Sequence, residues 1–257
     1  MRKLIIPFLI LFIILSKNQK VDGQIVNVED RRTNFVDTIG WFGFAEAGAN
    51  LVKNTRSITS ISGNFSLERV GRKNKLLFLT NYNLVRVNSE RFIDNGFQHI
   101  RFDHFIRDRI EYEIFAQAQF NSKLRILLRG LLGTGLRFHV LEVDNGKIFW
   151  GLSYMYEYDE IKIDPEKISY FRDHRMSTYL SVSVKVNDNF SLSNTSYYQP
   201  VLKQFSDVRL SSQTTLEFYI SKRFSFTTTF NITNDTRVPQ EVPATYYNWS
   251  NGIRVDF

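Results

Sequence analysis

The sequence predicts an all-β protein: a single antiparallel transmembrane β-barrel of about 12 strands, preceded by a signal peptide. Three observations lead there. Apolar and polar residues alternate with a period of two over stretches of about ten residues or more, long enough to cross a bilayer as tilted strands. Tight polar turns alternate along the chain with longer connections. Aromatic residues make up 15% of the chain, with 23 Phe and 12 Tyr, more than a soluble core calls for and suited to a lipid-facing wall.

Residues 1–23 read as the leader. "MRKLIIPFLILFIILSKNQKVDGQ" opens with Arg2 and Lys3, runs apolar from Leu4 to Leu15 and then turns polar. That run falls short of the ~20 residues of a spanning helix, and Pro7 interrupts it. Val21 and Gly23 are small enough to precede cleavage before Gln24. Residues 24–37 then form a short periplasmic segment, and the barrel occupies 38–257. The chain has no cysteine, which excludes a disulfide framework, a lipid-anchored cysteine and a thiolate metal site. Removing Arg2, Lys3, Lys17 and Lys20 together with Asp22 lowers the formal charge from +7 to +4, too mild to suggest nucleic acid.

Strands are expected near 38–50, 57–70, 75–88, 96–107, 109–121, 124–141, 147–159, 173–187, 189–202, 208–221, 223–233 and 245–257. "RIEYEIFAQAQFN" sets Tyr112, Ile114 and Phe120 against Glu111, Glu113, Gln117 and Gln119. "LRILLRGLLGTGLRFHV" sets Leu124, Ile126, Leu128, Leu132 and Leu136 against Arg125, Arg129 and Arg137. An arginine facing lipid near the midplane would cost about 2–4 kcal/mol, so these three are expected to project into the lumen. Glu111, Glu113, Glu157 and Asp159 stand on neighbouring strands as their candidate partners. Every second connection is tight ("GRKN", "RDR", "VDNGK", "NDN", "SKR"), whereas "SERFIDN", "IKIDPEKISYF" and "NDTRVPQEVPA" are longer. Short turns on one side and longer loops on the other place the short ones in the periplasm.

"FWGLSYMYEY" puts Trp150, Tyr154, Tyr156 and Tyr158 on one face, and Tyr247 and Trp249 share a face with Phe257, as an aromatic girdle at the headgroup level would. The last residues, "NGIRVDF", resemble the C-terminal strand signature of bacterial outer-membrane barrels. The matching positions are Gly252, Ile253, Val255 and Phe257, and the resemblance implies recognition by the barrel-assembly machinery. A broader resemblance covers roughly residues 35–257. "GWFGFAEAGANLVKNTRSITSISGNFSLE", "FDHFIRDRIEYEIFAQAQFN" and above all the Gly-rich "RGLLGTGLRF" resemble the domain family of unknown function found in salt-induced outer-membrane β-barrel proteins. "LVKNTR" stands where many members carry a Gly-Asn turn. The resemblance implies an outer-membrane barrel and no particular activity.

No catalytic constellation emerges. "GTGLRF" lacks the third glycine and the helix of a dinucleotide site. His99, His104, His139 and His174 lack ligand spacing, and the first two fall on opposite faces of a strand. An outer-membrane phospholipase would place a histidine two residues before "SNG", but "NWSNG" has Asn248 there, leaving Ser250 without a base. No cofactor or metal is expected. The expected partners are outer-membrane lipid and lipopolysaccharide, the secretion machinery and the barrel-assembly machinery. The expected location is the outer membrane of a Gram-negative bacterium, with both termini periplasmic. The expected role is structural, in envelope stress, or the narrow passage of small solutes. A small anion-selective channel is the first alternative and a lipid-modifying enzyme the second.

Overall fold

A computed structural model describes residues 39–53, 57–88, 90–164, 166–239 and 242–256; the leader, the N-terminal segment and Phe257 lie outside them. Twelve strands follow in chain order. They are β1 (Gly40–Lys53), β2 (Ser57–Val70), β3 (Asn74–Val87), β4 (Glu90–Arg107), β5 (Ile110–Asn121) and β6 (Ile126–Val143), then β7 (Gly146–Asp164), β8 (Lys167–Asn187), β9 (Phe190–Val201), β10 (Gln204–Tyr219), β11 (Phe224–Asp235) and β12 (Thr245–Asp256). Each pairs antiparallel with the next, and β12 returns to β1, so the sheet closes on itself.

The alternation decides which side chains enter. Along β7, Phe149, Ser153, Met155, Glu157 and Asp159 are buried, while Trp150, Leu152 and Tyr154 stand exposed on the outer face. The outer face also carries Leu132, Ile253, Phe226, Trp249 and Leu51, the last at 76% exposure. In water such a surface would forgo about 25 cal/mol for each Å² left uncovered, whereas acyl chains cover it. One polar island interrupts the belt. The Ser196 hydroxyl donates to Ser212 at 2.9 Å and the Asn194 amide to Thr214 at 2.9 Å, so these groups satisfy one another.

Two of the expected long loops are not loops. Residues 90–95 belong to β4, 161–164 to β7 and 167–171 to β8, giving these strands lengths of 18, 19 and 21 residues. From the described residues of the remaining long connection, between β11 and β12, Val238 and Val242 pack against Leu124, Ile126 and Tyr246.

That packing corrects the expected register at the start of β6. Leu124 and Ile126 are buried rather than facing lipid, and Arg125 does not join Arg129 and Arg137 in the lumen. The physical reason is a turn at Arg125, whose φ is 56°, followed by a bulge against β7 between Ile126 and Leu128 that shifts the alternation. The Arg125 guanidinium instead donates to the Ile163 carbonyl at 2.9 Å.

The aromatic residues occupy more than one level. Trp150, Tyr154, Tyr247 and Trp249 are exposed on the outer face, and Tyr156 and Tyr158 are half-buried. At ~3.4 Å per residue, Trp150 and Tyr158 are about 27 Å apart along one strand, so they mark opposite ends of the wall rather than one ring. The Trp150 ring stacks on Phe138 at 5.1 Å and its indole N–H donates to Thr178 at 3.0 Å, the arrangement of an amphipathic ring at an interface.

Candidate functional site: the barrel interior

The interior divides into a charged part and a neutral part. Toward the short-turn end of the charged part, Glu111 on β5 meets Arg137 at 3.1 Å, Lys75 at 3.1 Å and the His139 ring at 2.7 Å. Two positions on, Glu113 accepts from Arg101 at 3.1 Å and from the Tyr179 hydroxyl at 3.2 Å. Tyr179 stands on β8, three strands away, so this bond crosses the lumen. Room for the ring comes from glycine. A Cβ at Gly151 would lie 2.0 Å from the Tyr179 ring, and one at Gly133 would lie 2.2 Å from the Phe115 ring. Gly133 in the Gly-rich stretch and Gly151 on β7 are therefore where aromatic rings enter the barrel.

Toward the other end, Glu157 gathers four arginines: Arg209 at 2.8 Å, Arg175 at 2.9 Å, and Arg129 and Arg237 each at 3.8 Å. Arg129 holds Asp159 with two N–H donors, at 2.6 and 2.9 Å. Arg209 also reaches Asp235 at 2.9 Å and Arg175 reaches Asp207 at 3.1 Å. Arg237, in the connection between β11 and β12, pairs with Asp173 and with Asp207, tying that connection to the network. Charges buried this deeply persist only when paired and hydrogen-bonded, because each would otherwise forfeit several kcal/mol of hydration. Between the two clusters lies a void of only ≈ 40 Å³, bordered by Arg101, Arg129, Arg209 and Tyr179.

Asp103, Glu111 and Glu113 bring carboxylate oxygens within 4.8 Å of one another, the geometry a metal ion would need. Arg101, Arg137 and Lys75 already supply the positive charge there. The group is explained as part of the ion-pair network.

The neutral part is a cavity of ≈ 460 Å³ bounded by β1, β2 and β3 on one side and β10, β11 and β12 on the other. Amides and hydroxyls dominate its wall, among them Asn64, Asn81, Gln213, Thr229, Asn231 and Ser250. Glu46 and Arg254 are the charged members of the lining. Glu46 accepts from Asn64 at 2.6 Å and from Thr227. Arg254 donates to Asp256 at 2.9 Å and covers the Phe44 ring at 3.8 Å. Gly252 faces inward beneath the Glu46 carboxylate, while Ile253 points outward.

Of the residues singled out in the sequence, Arg129, Arg137, Glu111, Glu113, Glu157 and Asp159 meet in the two clusters. Sequence reasoning missed Arg101, Arg175, Arg209 and Tyr179, although each occupies the inward position of an alternating strand. It also missed Arg237 and Asp235, which sit at and beyond a strand end, where period two carries no information. The cavity had a signal too: the uncharged alternate positions in "SISGN", "TNYN" and "TTTFNIT".

A closed wall of twelve strands, apolar outside and polar within, defines an outer-membrane β-barrel. Residues 45–252 match the family model described as "Protein of unknown function, DUF481", and the chain belongs to that family. Among solved structures, the COG4313 outer membrane channel from Pseudomonas putida F1 matches with a TM-score of 0.53 and 9% identity, over 90% of this chain and 99% of that one. The NanC porin matches with a TM-score of 0.47 and 9% identity, over 84% and 97%. LpxR from Salmonella typhimurium matches with a TM-score of 0.46 and 5% identity, over 84% and 99%. At these identities the first likeness concerns the fold alone. Comparison with curated protein sequences finds no match.

Proposed function

We propose that this barrel serves a structural role in the outer membrane, with at most a narrow passage for small uncharged solutes, and that it is not an anion pore. One observation carries the reading. Arg101, Arg129, Arg137, Arg175 and Arg209, all buried, each lie within 3.1 Å of a carboxylate. Arginine stays charged, so a pore that selects anions needs guanidinium groups facing water. Here they face glutamate and aspartate, four on a neighbouring strand and Arg209 across the lumen on β7, and brace the wall.

The rest of the reading follows from barrel assembly. The leader is removed on export from the cytoplasm of a Gram-negative cell, the assembly machinery inserts the mature chain among lipid and lipopolysaccharide, and the short turns and both termini face the periplasm. Nothing in this role calls for catalysis or a cofactor. Planar-bilayer recording of the refolded protein tests it. Negligible conductance, with no preference for chloride over potassium, is expected. A steady anion-selective current, lost in Arg129→Glu, would replace this reading with a small anion channel.

A further inference from the structure

The barrel is closed unevenly. β1 pairs with β2 through fourteen residues, from Gly40↔Val70 to Lys53↔Ser57. Against β12 it pairs through four, from Phe44↔Asp256 to Ala47↔Ile253. Beyond Ala47 and Ile253, residues 48–53 and 245–252 remain in strand conformation but do not pair with each other. Their partners on the other side, β2 and β11, are kept. The wall is therefore split over the half of this seam nearer the long-loop end.

The cavity and the split coincide. Inward-facing Gly48, Asn50 and Ser250 line it, and so do Ala49, Trp249 and Asn251, which by alternation belong to the outer face. The cavity thus reaches the unpaired part of the seam. At its mouth β1 presents Ala49, just beyond the paired Ala45 and Ala47, flanked by Leu51 and by Trp249 at 70% exposure. Backbone N–H and C=O groups along such an edge cannot be left to hydrocarbon, since each unsatisfied group costs several kcal/mol there. Something polar has to stand beside them, and something apolar has to stand outside.

We propose that the β1–β12 seam is a lateral portal, and that the cavity behind it binds the uncharged polyhydroxyl head group of an amphiphile whose alkyl chain leaves through the seam into the bilayer. The inference rests on the membrane-spanning reading of the barrel. The lining selects the head. Amides and hydroxyls exchange hydrogen bonds with sugar hydroxyls, while Glu46 and Arg254 are engaged by Asn64, Thr227 and Asp256 and offer no matched pair for a phosphate. The volume of ≈ 460 Å³ falls within the ~300–1,000 Å³ of small-molecule pockets. The mouth selects the tail. The small side chain of Ala49 leaves room at the unpaired edge, and Leu51 and Trp249 offer apolar contact beside it.

Fluorescence of Trp249 tests this, because the chain has three tryptophans and no cysteine. The variant Trp41→Phe/Trp150→Phe is placed in phosphatidylcholine vesicles, and flotation with the vesicles confirms insertion. Failure to float would overturn the membrane reading itself, and with it the portal. The probe is an alkyl maltoside brominated along its chain. Saturable quenching is expected at mole fractions too low for random encounter, and Thr229→Phe, which fills the cavity, should weaken it about tenfold or more. Adding Ala49→Cys/Asn251→Cys staples the next outward pair in register. Oxidation should abolish saturable quenching and reduction should restore it. Quenching that rises linearly with probe and ignores Thr229→Phe overturns the site. Equal binding with the staple closed, or displacement by free maltose as effective as by the alkyl maltoside, overturns the portal in favour of a sugar site reached from water.

Discussion

Arg209 and Thr215 stand six residues apart on the inner face of one strand, yet they belong to different interiors. Arg209 is buried among Glu157, Asp235 and the neighbouring arginines, with only the void of ≈ 40 Å³ beside it. Thr215 lines an open cavity and shares a hydrogen bond with Thr229 at 3.0 Å. The difference lies in what each side chain requires. A buried guanidinium has to find carboxylates, and the long side chains that meet at about 3 Å fill the lumen as they do so. Hydroxyls and amides satisfy one another along the wall with short side chains, so the middle stays empty. One barrel thereby holds a brace and a chamber, set by the choice of residue at alternate positions.

The sharpest way to break the comparison is to remove one acid from the brace. Glu157→Gln leaves Arg175 and Arg209 short of a counter-charge, and a broken buried pair costs about 3–5 kcal/mol. Urea unfolding in detergent, followed by the gel shift between folded and boiled barrel, should show that loss. Asn231→Ala, in the cavity wall, should change the midpoint by about 0.5 kcal/mol or less. Similar losses for both would erase the distinction between the halves.

Overpacking separates the halves next. Gly151→Val drives a side chain into the Tyr179 ring and should cost about 1–3 kcal/mol, since that ring is held by Glu113 and cannot retreat. Gly48→Ala meets the Ser62 hydroxyl, which can rotate into the cavity, and should be tolerated by the same unfolding assay. The smallest effect sharpens the register of β6. Arg125→Ala removes a bond to one carbonyl and should cost about 1 kcal/mol, well below Arg129→Ala, which strips Asp159 and Glu157 of their partner. Equal costs would return Arg125 to the lumen.

Much of this was legible in the sequence because period two is enforced by the bilayer. Each strand has to be apolar on one side, and Glu111, Glu113, Arg129 and Arg137 declare their direction through Tyr112, Ile114, Leu132 and Leu136. What escaped has physical reasons. Alternation cannot show a bulge, so Leu124, Ile126 and Arg125 were placed on the wrong faces. It does not show which strands face across a closed sheet, so the meeting of β7 with β10 and of β5 with β8 was out of reach. Nor does it show pairing: residues 48–53 and 245–252 read as ordinary strand, and the split between them exists only in three dimensions.

The brace is mostly built between neighbouring strands, and the ion pair that carries it across the lumen joins Arg209 on β10 to Glu157 on β7 at 2.8 Å. A double-mutant cycle of Arg209→Gln and Glu157→Gln, read by urea unfolding of the folded barrel, measures it directly. A coupling of about 1–3 kcal/mol is predicted, with the double variant less damaged than the sum of the single ones. Strictly additive losses would mean that the two charges do not meet across the barrel, and would contradict a braced interior.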